Sequence, residues 1–138
     1  MKIWFVSIFE NTPIDDNQNT RYNSLVLEAT KRNHDVVFWA STFQHNIKKQ
    51  RFESYKEVLI NKNVKVNFVP ANAYFKNISF KRMYSHFKLS KSLINYFKKE
   101  QVLPDVIVIA FPPISTSYEV IKWAKQHSIP VIVDIIDP

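Results

Sequence analysis

The sequence predicts an α/β fold: a Rossmann-like three-layer sandwich around a parallel sheet of about five strands. Three observations carry that expectation. Short unbroken apolar runs, Val106 to Ala110 and Ile129 to Val133 among them, have the length and composition of strands buried on both faces. Segments with apolar residues at helical spacing alternate with those runs along the chain. Polar residues and prolines gather where the runs end, as in "AFPPIST" and "VDIIDP".

In chain order, a first strand from Ile3 to Phe9 leads into a polar loop, Glu10 to Thr20. A helix from Arg21 to Arg32 buries Leu25, Val26 and Ala29 and is followed by a second strand, Val36 to Ala40. The connection from Ser41 to Lys62 is long and charged, with weak helical character around Phe52 to Ile60. A third strand, Val64 to Val69, ends at Pro70. After a loop from Tyr74 to Ser79, a longer helix from Phe80 to Glu100 sets Met83, Phe87, Leu93, Ile94 and Phe97 beside Lys81, Arg82, Lys88, Lys91, Lys98 and Lys99. The fourth strand, Val106 to Ala110, passes through Phe111 to Ser115 into a helix that Ser115 or Thr116 caps, with Val120, Ile121, Trp123 and Ala124 at helical spacing. Ile129 to Val133 is the fifth strand.

This alternation implies the strand order 3-2-1-4-5, and right-handed crossovers bring the loops after the strands to one carboxyl edge, where open α/β sheets bind ligands. The fifth strand has no helix after it. Two expectations follow: an amino-terminal fragment truncated after that strand, and an apolar patch there that is exposed or covered by a partner.

Composition bounds the function. The 138 residues make one domain, 1–138, with 46% hydrophobic residues and no apolar run near the ~18 a membrane span needs. Cysteine is absent, which removes disulfides, thiol catalysis and thiolate metal sites and fits a soluble protein of the reducing cytoplasm. Glycine is absent too, which excludes a GxGxxG dinucleotide loop and a P-loop, since both need glycine for backbone approach to phosphate. Turn positions needing a left-handed backbone fall instead to Asn33, Asn63, and Asp16 with Asn17. A formal charge of +7 points to an acidic partner: nucleic acid, a phosphorylated ligand or an anionic membrane face. A Lys- and Asn-rich composition with no such partner also produces it. No His, Asp or Glu cluster has metal-ligand spacing.

The segments "MKIWFVSI", "NTPIDD", "KRNHDVVFWASTFQH", "YFKNISFKRMYSH", "PDVIVIAFPP" and "IPVIVDIIDP", taken in order, resemble the amino-terminal domain of bacterial family-4 glycosyltransferases of the GT-B fold, of the O-antigen and capsule type. Two departures stand out: Asp16-Asn17 replaces the usual Gly-Gly of the first loop, and the donor-binding carboxy-terminal domain is missing. The resemblance implies transfer of a sugar from a nucleotide-sugar donor to a saccharide acceptor, free or polyprenyl-diphosphate-linked, at the cytoplasmic membrane face. It implies no cofactor and no metal, the donor being a co-substrate bound mainly by the other domain. A fragment of this kind binds acceptor and does not catalyse.

Within that reading the candidate catalytic residues are Asp137 and Asp134, where a carboxylate at the end of a buried strand holds or deprotonates an acceptor hydroxyl. The alternative for both is a turn or cap role. Candidates for acceptor binding are Asp15 and Asp16 in the first loop, His45 after the second strand, Arg82 and His86 on one helix face, and Pro113 and Ser115 after the fourth strand. His34 is expected to serve structure by fixing the turn into the second strand, and His127 to be a solvated helix-end residue that is favourable against the helix dipole. For the helix from Phe80 to Glu100 two roles compete. Docking on an anionic membrane would use Lys76, Lys81, Arg82, Lys88 and Lys91 with Phe75, Phe80 and Tyr84, whereas covering the sheet would use Met83, Phe87 and Ile94. Two other classes stay open: a non-catalytic Rossmann-like domain binding a nucleotide or partner, and, supported by charge alone, a nucleic-acid-binding module.

Overall fold

Alternate residues of a strand point to opposite faces, and in this chain both sets are apolar, so each central strand needs cover on two sides. The computed structural model describes residues 1–8, 11–15, 20–44, 47–71 and 80–135. Their elements run β1 (Lys2–Val6), α1 (Arg21–Lys31), β2 (Asp35–Ser41), β3 (Phe43–Gln44), β4 (Lys49–Gln50), β5 (Lys56–Asn61), β6 (Val64–Val69), α2 (Phe80–Phe97), β7 (Val106–Phe111), α3 (Ile114–Gln126) and β8 (Val131–Ile135). One mainly parallel sheet has six strands in the order β5-β6-β2-β1-β7-β8, and β3 with β4 forms a separate small hairpin.

The count and order depart from the expected five strands through β5, the segment read as weakly helical. It pairs antiparallel with β6, with Val58 opposite Val66 and a register shift between Leu59 and Asn61. A tight turn explains it: Asn61 Oδ1 accepts from Asn63 N at 2.8 Å and reverses the chain after Asn61, so the segment pairs with β6 instead of coiling. The remaining pairs, β1 with β2 and β7, β2 with β6, and β7 with β8, are parallel.

On one face α2 and α3 cover Trp4, Val6, Val37, Trp39, Ile107 and Ile109. The centre there is four rings: Trp4, Trp39, Phe97 of α2 and Trp123 of α3, with centroids 4.8 Å apart for Trp4–Phe97 and Trp39–Phe97 and 5.0 Å for Phe97–Trp123. The other face carries Phe5, Val36, Phe38, Val66 and Phe68 beneath α1, which supplies Tyr22, Val26 and Ala29. Tyr22 takes the place expected of Leu25, which is exposed, because 22, 26 and 29 are the positions one helical stripe brings to the sheet.

Helix ends follow local chemistry. Thr20 caps α1 by accepting from Asn23 N at 3.3 Å, and Asn33 just past its end has the expected left-handed φ of 63°. Lys48 and Ser128 are left-handed as well, whereas Asn63 is not among such residues. Asp16 and Asn17 lie outside the described residues. Neither Ser115 nor Thr116 caps α3: the helix starts at Ile114 with Pro113 as its N-cap and no side-chain cap bond, so both residues lie inside the first turn, with their hydroxyls near Ser90 of α2.

The strand expected to be buried last is not buried on both faces. In β8, Ile132, Val133 and Ile135 are exposed, as is Leu25 of α1, which gives the apolar surface expected at that edge. Among the described residues no helix is long and apolar enough to cross a membrane.

Candidate functional site

The carboxyl ends of β1, β2, β6, β7 and β8 and the amino ends of all three helices meet at one edge of the sheet. The chain winds outward from β1 through β2 to β6, then returns to β7 on the other side of β1. The topological switch between β1 and β7 is where such sheets open a crevice. Ser7 sits there just after β1, its N donating to Trp39 O at 3.0 Å. Its side chain is buried, and the hydroxyl has no hydrogen-bond partner among the described residues. Across the switch lies Phe111-Pro112-Pro113, with both peptide bonds cis.

On the α2 and α3 side, hydroxyls converge. The Ser90 hydroxyl is 3.2 Å from Ser115 Oγ and 3.0 Å from Thr116 Oγ1, and it donates to His86 O at 2.7 Å. The fold therefore brings the backbone carbonyl of His86 and the hydroxyl of Ser115, with Pro113 just before it at the N-cap, to one place where α2 passes the start of α3. Lys91 Nζ to Glu119 Oε1, 2.8 Å, closes the same seam one turn further on.

The α1 side holds two carboxylates, each already paired. Asp15 is 6% exposed at its side chain, as is Arg51, and the two bond in bidentate fashion: Nε to Oδ1 at 3.0 Å and Nη2 to Oδ2 at 2.7 Å. Thr12 N adds a third donor to Asp15 at 2.6 Å. Arg51 Nη1 also reaches Ser41 O at 2.9 Å, and its guanidinium lies 5.5 Å from the Phe68 ring centroid. Next to it, Gln50 Nε2 donates to Thr42 Oγ1 and Phe52 O, both at 2.9 Å. Gln50 and Arg51 thus tie the end of β2 to the loop that holds Asp15 and, through Gln50 Nε2 to Ala71 O at 3.3 Å, to the segment after β6. Asp134, at the end of β8, accepts from Tyr22 OH at 3.0 Å and pairs with Arg21 Nη2 at 2.8 Å, tying the edge strand to the first turn of α1.

The expected site residues divide accordingly. The backbone of His86 converges with Pro113 and Ser115; Asp15 and Asp134 lie at the same edge with their carboxylates engaged by arginine. Arg82 is in the first turn of α2, where only its backbone position is described, and Asp16, His45 and Asp137 lie outside the described residues. Arg51, Gln50, Tyr22 and Ser90 were missed as site-forming residues. Tyr22 had a signal, the 22, 26, 29 spacing; Arg51 had none, since its partner is 36 residues away. Of the other histidines, His34 Nδ1 lies 3.0 Å from the terminal amine of Met1, and His127, exposed at the end of α3, has Nδ1 2.8 Å from Trp123 O while its ring stacks on that indole at 4.4 Å.

Among the described residues no group of acidic and histidine side chains is arranged to hold a metal ion. A groove of about 400 Å³ runs along α1 between Pro13, Val26, Leu27, Thr30, Ile60 and Val64; it has no charged lining and is not part of the switch crevice.

No protein-family model and no curated protein matches the chain. A solved structure with this fold is the C-terminal domain, residues 78–226, of a hydrogenase from Pyrococcus furiosus, at TM-score 0.56 and 16% identity, covering 96% of this chain and 90% of that one. At that identity the likeness defines the class, a mixed α/β domain of Rossmann-like architecture, and no more.

Proposed function

We propose that this domain is the acceptor-binding half of a two-domain glycosyltransferase, taking a saccharide, free or polyprenyl-diphosphate-linked, for sugar transfer from a nucleotide-sugar donor in surface polysaccharide synthesis. The observation that carries it is the chemistry of the switch edge. Neutral hydroxyls (Ser7, Ser90, Ser115, Thr116) and two carboxylates paired with arginine, Asp15 and Asp134, gather at this edge among the described residues. Such an edge suits a polyhydroxyl ligand, whose hydroxyls both donate and accept. A dinucleotide-binding loop or a P-loop needs glycine, and the chain has none. The ordered sequence resemblance to the glycosyltransferase domain supports the same reading.

In this role Asp134 orients an acceptor hydroxyl, its carboxylate held in place by Tyr22 and Arg21, and Asp137 is the proposed base or electrostatic stabiliser. Ser115 and His86 bind the acceptor from the α2 and α3 side, and the donor's leaving group is neutralised by the other domain. The chain by itself binds acceptor and transfers nothing.

Chemical-shift mapping of the chain with short saccharides and, separately, with nucleotide sugars tests this. The expected result is saccharide-induced shifts at Ser7, Ser115 and Asp134 and none with the nucleotide sugar. Tight nucleotide-sugar binding with no saccharide response would replace this reading with a nucleotide-binding domain, and a salt-sensitive complex with generic RNA would replace it with a nucleic-acid module.

A further inference from the structure

A helix covering a sheet needs one apolar face, and α2 has two. Inward it places Ser85, Leu89, Leu93 and Phe97, all buried. Outward, at i, i+3, i+4 and i+7, it places Phe80, Met83, Tyr84 and Phe87, which are 90%, 69%, 61% and 56% exposed. Met83 and Phe87 were the residues that covering the sheet was expected to use, and neither does so. On α3, Ile114 and Tyr118 stand one turn apart and are 70% and 62% exposed.

The two stripes belong to one surface. Ser90 of α2 meets Ser115 and Thr116, so the start of α3 lies alongside the middle of α2. Lys91 spans the seam between them, its Nζ 5.7 Å from the Phe87 ring centroid and 2.8 Å from Glu119 Oε1, the residue after Tyr118. The cation at the seam therefore has its counter-charge within the chain. Lys88 and Lys122, both exposed, flank the stripes.

Area decides what such a surface is for. Large side chains carry roughly 150–250 Å² each, so these residues leave on the order of 700 Å² in water. The largest apolar patch of a monomer is about 300–600 Å², whereas a standard interface takes about 800 Å² from each partner. Aromatic rings and a methionine inside a rim of lysines are also the make-up of an interface core. We infer that this face joins two copies of the chain about a two-fold axis, stripe against stripe. With Lys91 already paired, the face calls for an uncharged apolar partner, and it is itself such a surface; a two-fold needs one self-complementary patch and no second protein. The outward residues occupy the first turns of α2, so the seam runs beside the switch edge of each copy. The inference stands on exposure, area and pairing and does not depend on what that edge binds.

Sedimentation equilibrium of the chain tests it. A dimer is expected at ~10 μM, the weak end for an interface of this area, and Phe80→Ser with Met83→Ser and Phe87→Ser should weaken it about tenfold or more. The serine variant removes only exposed side chains, so its melting temperature should stay near wild type, and that measurement separates lost association from lost fold. Because the chain has no cysteine, a single one reports proximity. Under mild oxidation Tyr84→Cys should form a disulfide-linked dimer about tenfold faster than Lys31→Cys, at an exposed position on α1. Three results each overturn the inference: a wild-type monomer at ~100 μM, whether or not it binds phosphatidylglycerol vesicles, a dimer that the folded serine variant keeps, or equal disulfide rates for the two cysteine variants.

Discussion

Two regions of this domain are built on opposite principles. Beneath α2 and α3 the sheet packs on Trp4, Trp39, Phe97 and Trp123, rings that are at most 3% exposed, and the three indole N–H groups there have no hydrogen-bond partner among the described residues. At the carboxyl edge, among the described residues, Asp15 and Asp134 each find an arginine. Packing area holds the first region, and shape is all it requires. The second takes its stability from a few directional bonds whose desolvation nearly cancels their gain, and in return fixes the loops that surround the switch crevice. The comparison teaches where substitutions should act: volume matters on the aromatic side, pairing at the edge.

The largest effect should come from the aromatic side. Phe97→Ala leaves a void among three indoles and should cost about 4 kcal/mol, read as a lower midpoint in urea unfolding. A cost below about 1 kcal/mol would mean that the rings repack and the region is not a jigsaw.

Next comes the buried ion pair. Arg51→Ala strands the Asp15 carboxylate and should cost about 3 kcal/mol, while the paired change Arg51→Met with Asp15→Leu should cost clearly less than either single change. A double mutant as unstable as the sum of the two singles would show that the edge is held by packing after all. Tyr22→Phe removes one bond to Asp134 and leaves Arg21 in place, so about 1 kcal/mol is expected, with the saccharide-induced shift at Asp134 changed if the proposed role is right.

The smallest effect lies at the far end of the aromatic side, where Tyr55 stacks on Tyr96 at 4.1 Å and donates to Glu57 at 2.9 Å. Burial first, and then the hydrogen bond and negative charge of Glu57, push the Tyr55 hydroxyl well above the ordinary tyrosine value of 10.0. Because the folded value is raised, the fold favours the neutral phenol. That stability is fully present below pH 10.0 and is lost as pH rises beyond it. Denaturation midpoints measured from pH 8 to 11 should fall less steeply in Tyr55→Phe than in wild type; parallel slopes would detach this hydroxyl from folding.

Much of the fold was legible because it rests on local pattern. Val106 to Ala110 reads as a strand and Arg21 to Arg32 as a helix from neighbours alone, and Asn33 declares its left-handed turn in a chain with no glycine. The segment from Lys56 was misread because its strand character comes from its partner: a six-residue stretch beside β6 gains ladder bonds that no local propensity reveals. The site was legible only in outline. Loops at strand ends could be named as the edge, and Asp134 and Asp15 could be picked out, yet their bonding to Arg21 with Tyr22 and to Arg51 depended on chain segments far apart in sequence.

The sequence by itself determined the alternation of strands and helices, the exclusion of glycine-dependent phosphate loops and of thiol chemistry, and the edge at which polar residues gather, because each of these is set by residue type and spacing within a few positions. Only the tertiary structure decided which face of α2 is inside. A periodicity of 3.6 residues marks two apolar stripes on that helix, and either satisfies the pattern; the sheet has room for one, and the stripe of Leu89, Leu93 and Phe97 fits against Trp4 and Trp39, leaving Phe80, Met83, Tyr84 and Phe87 in solvent.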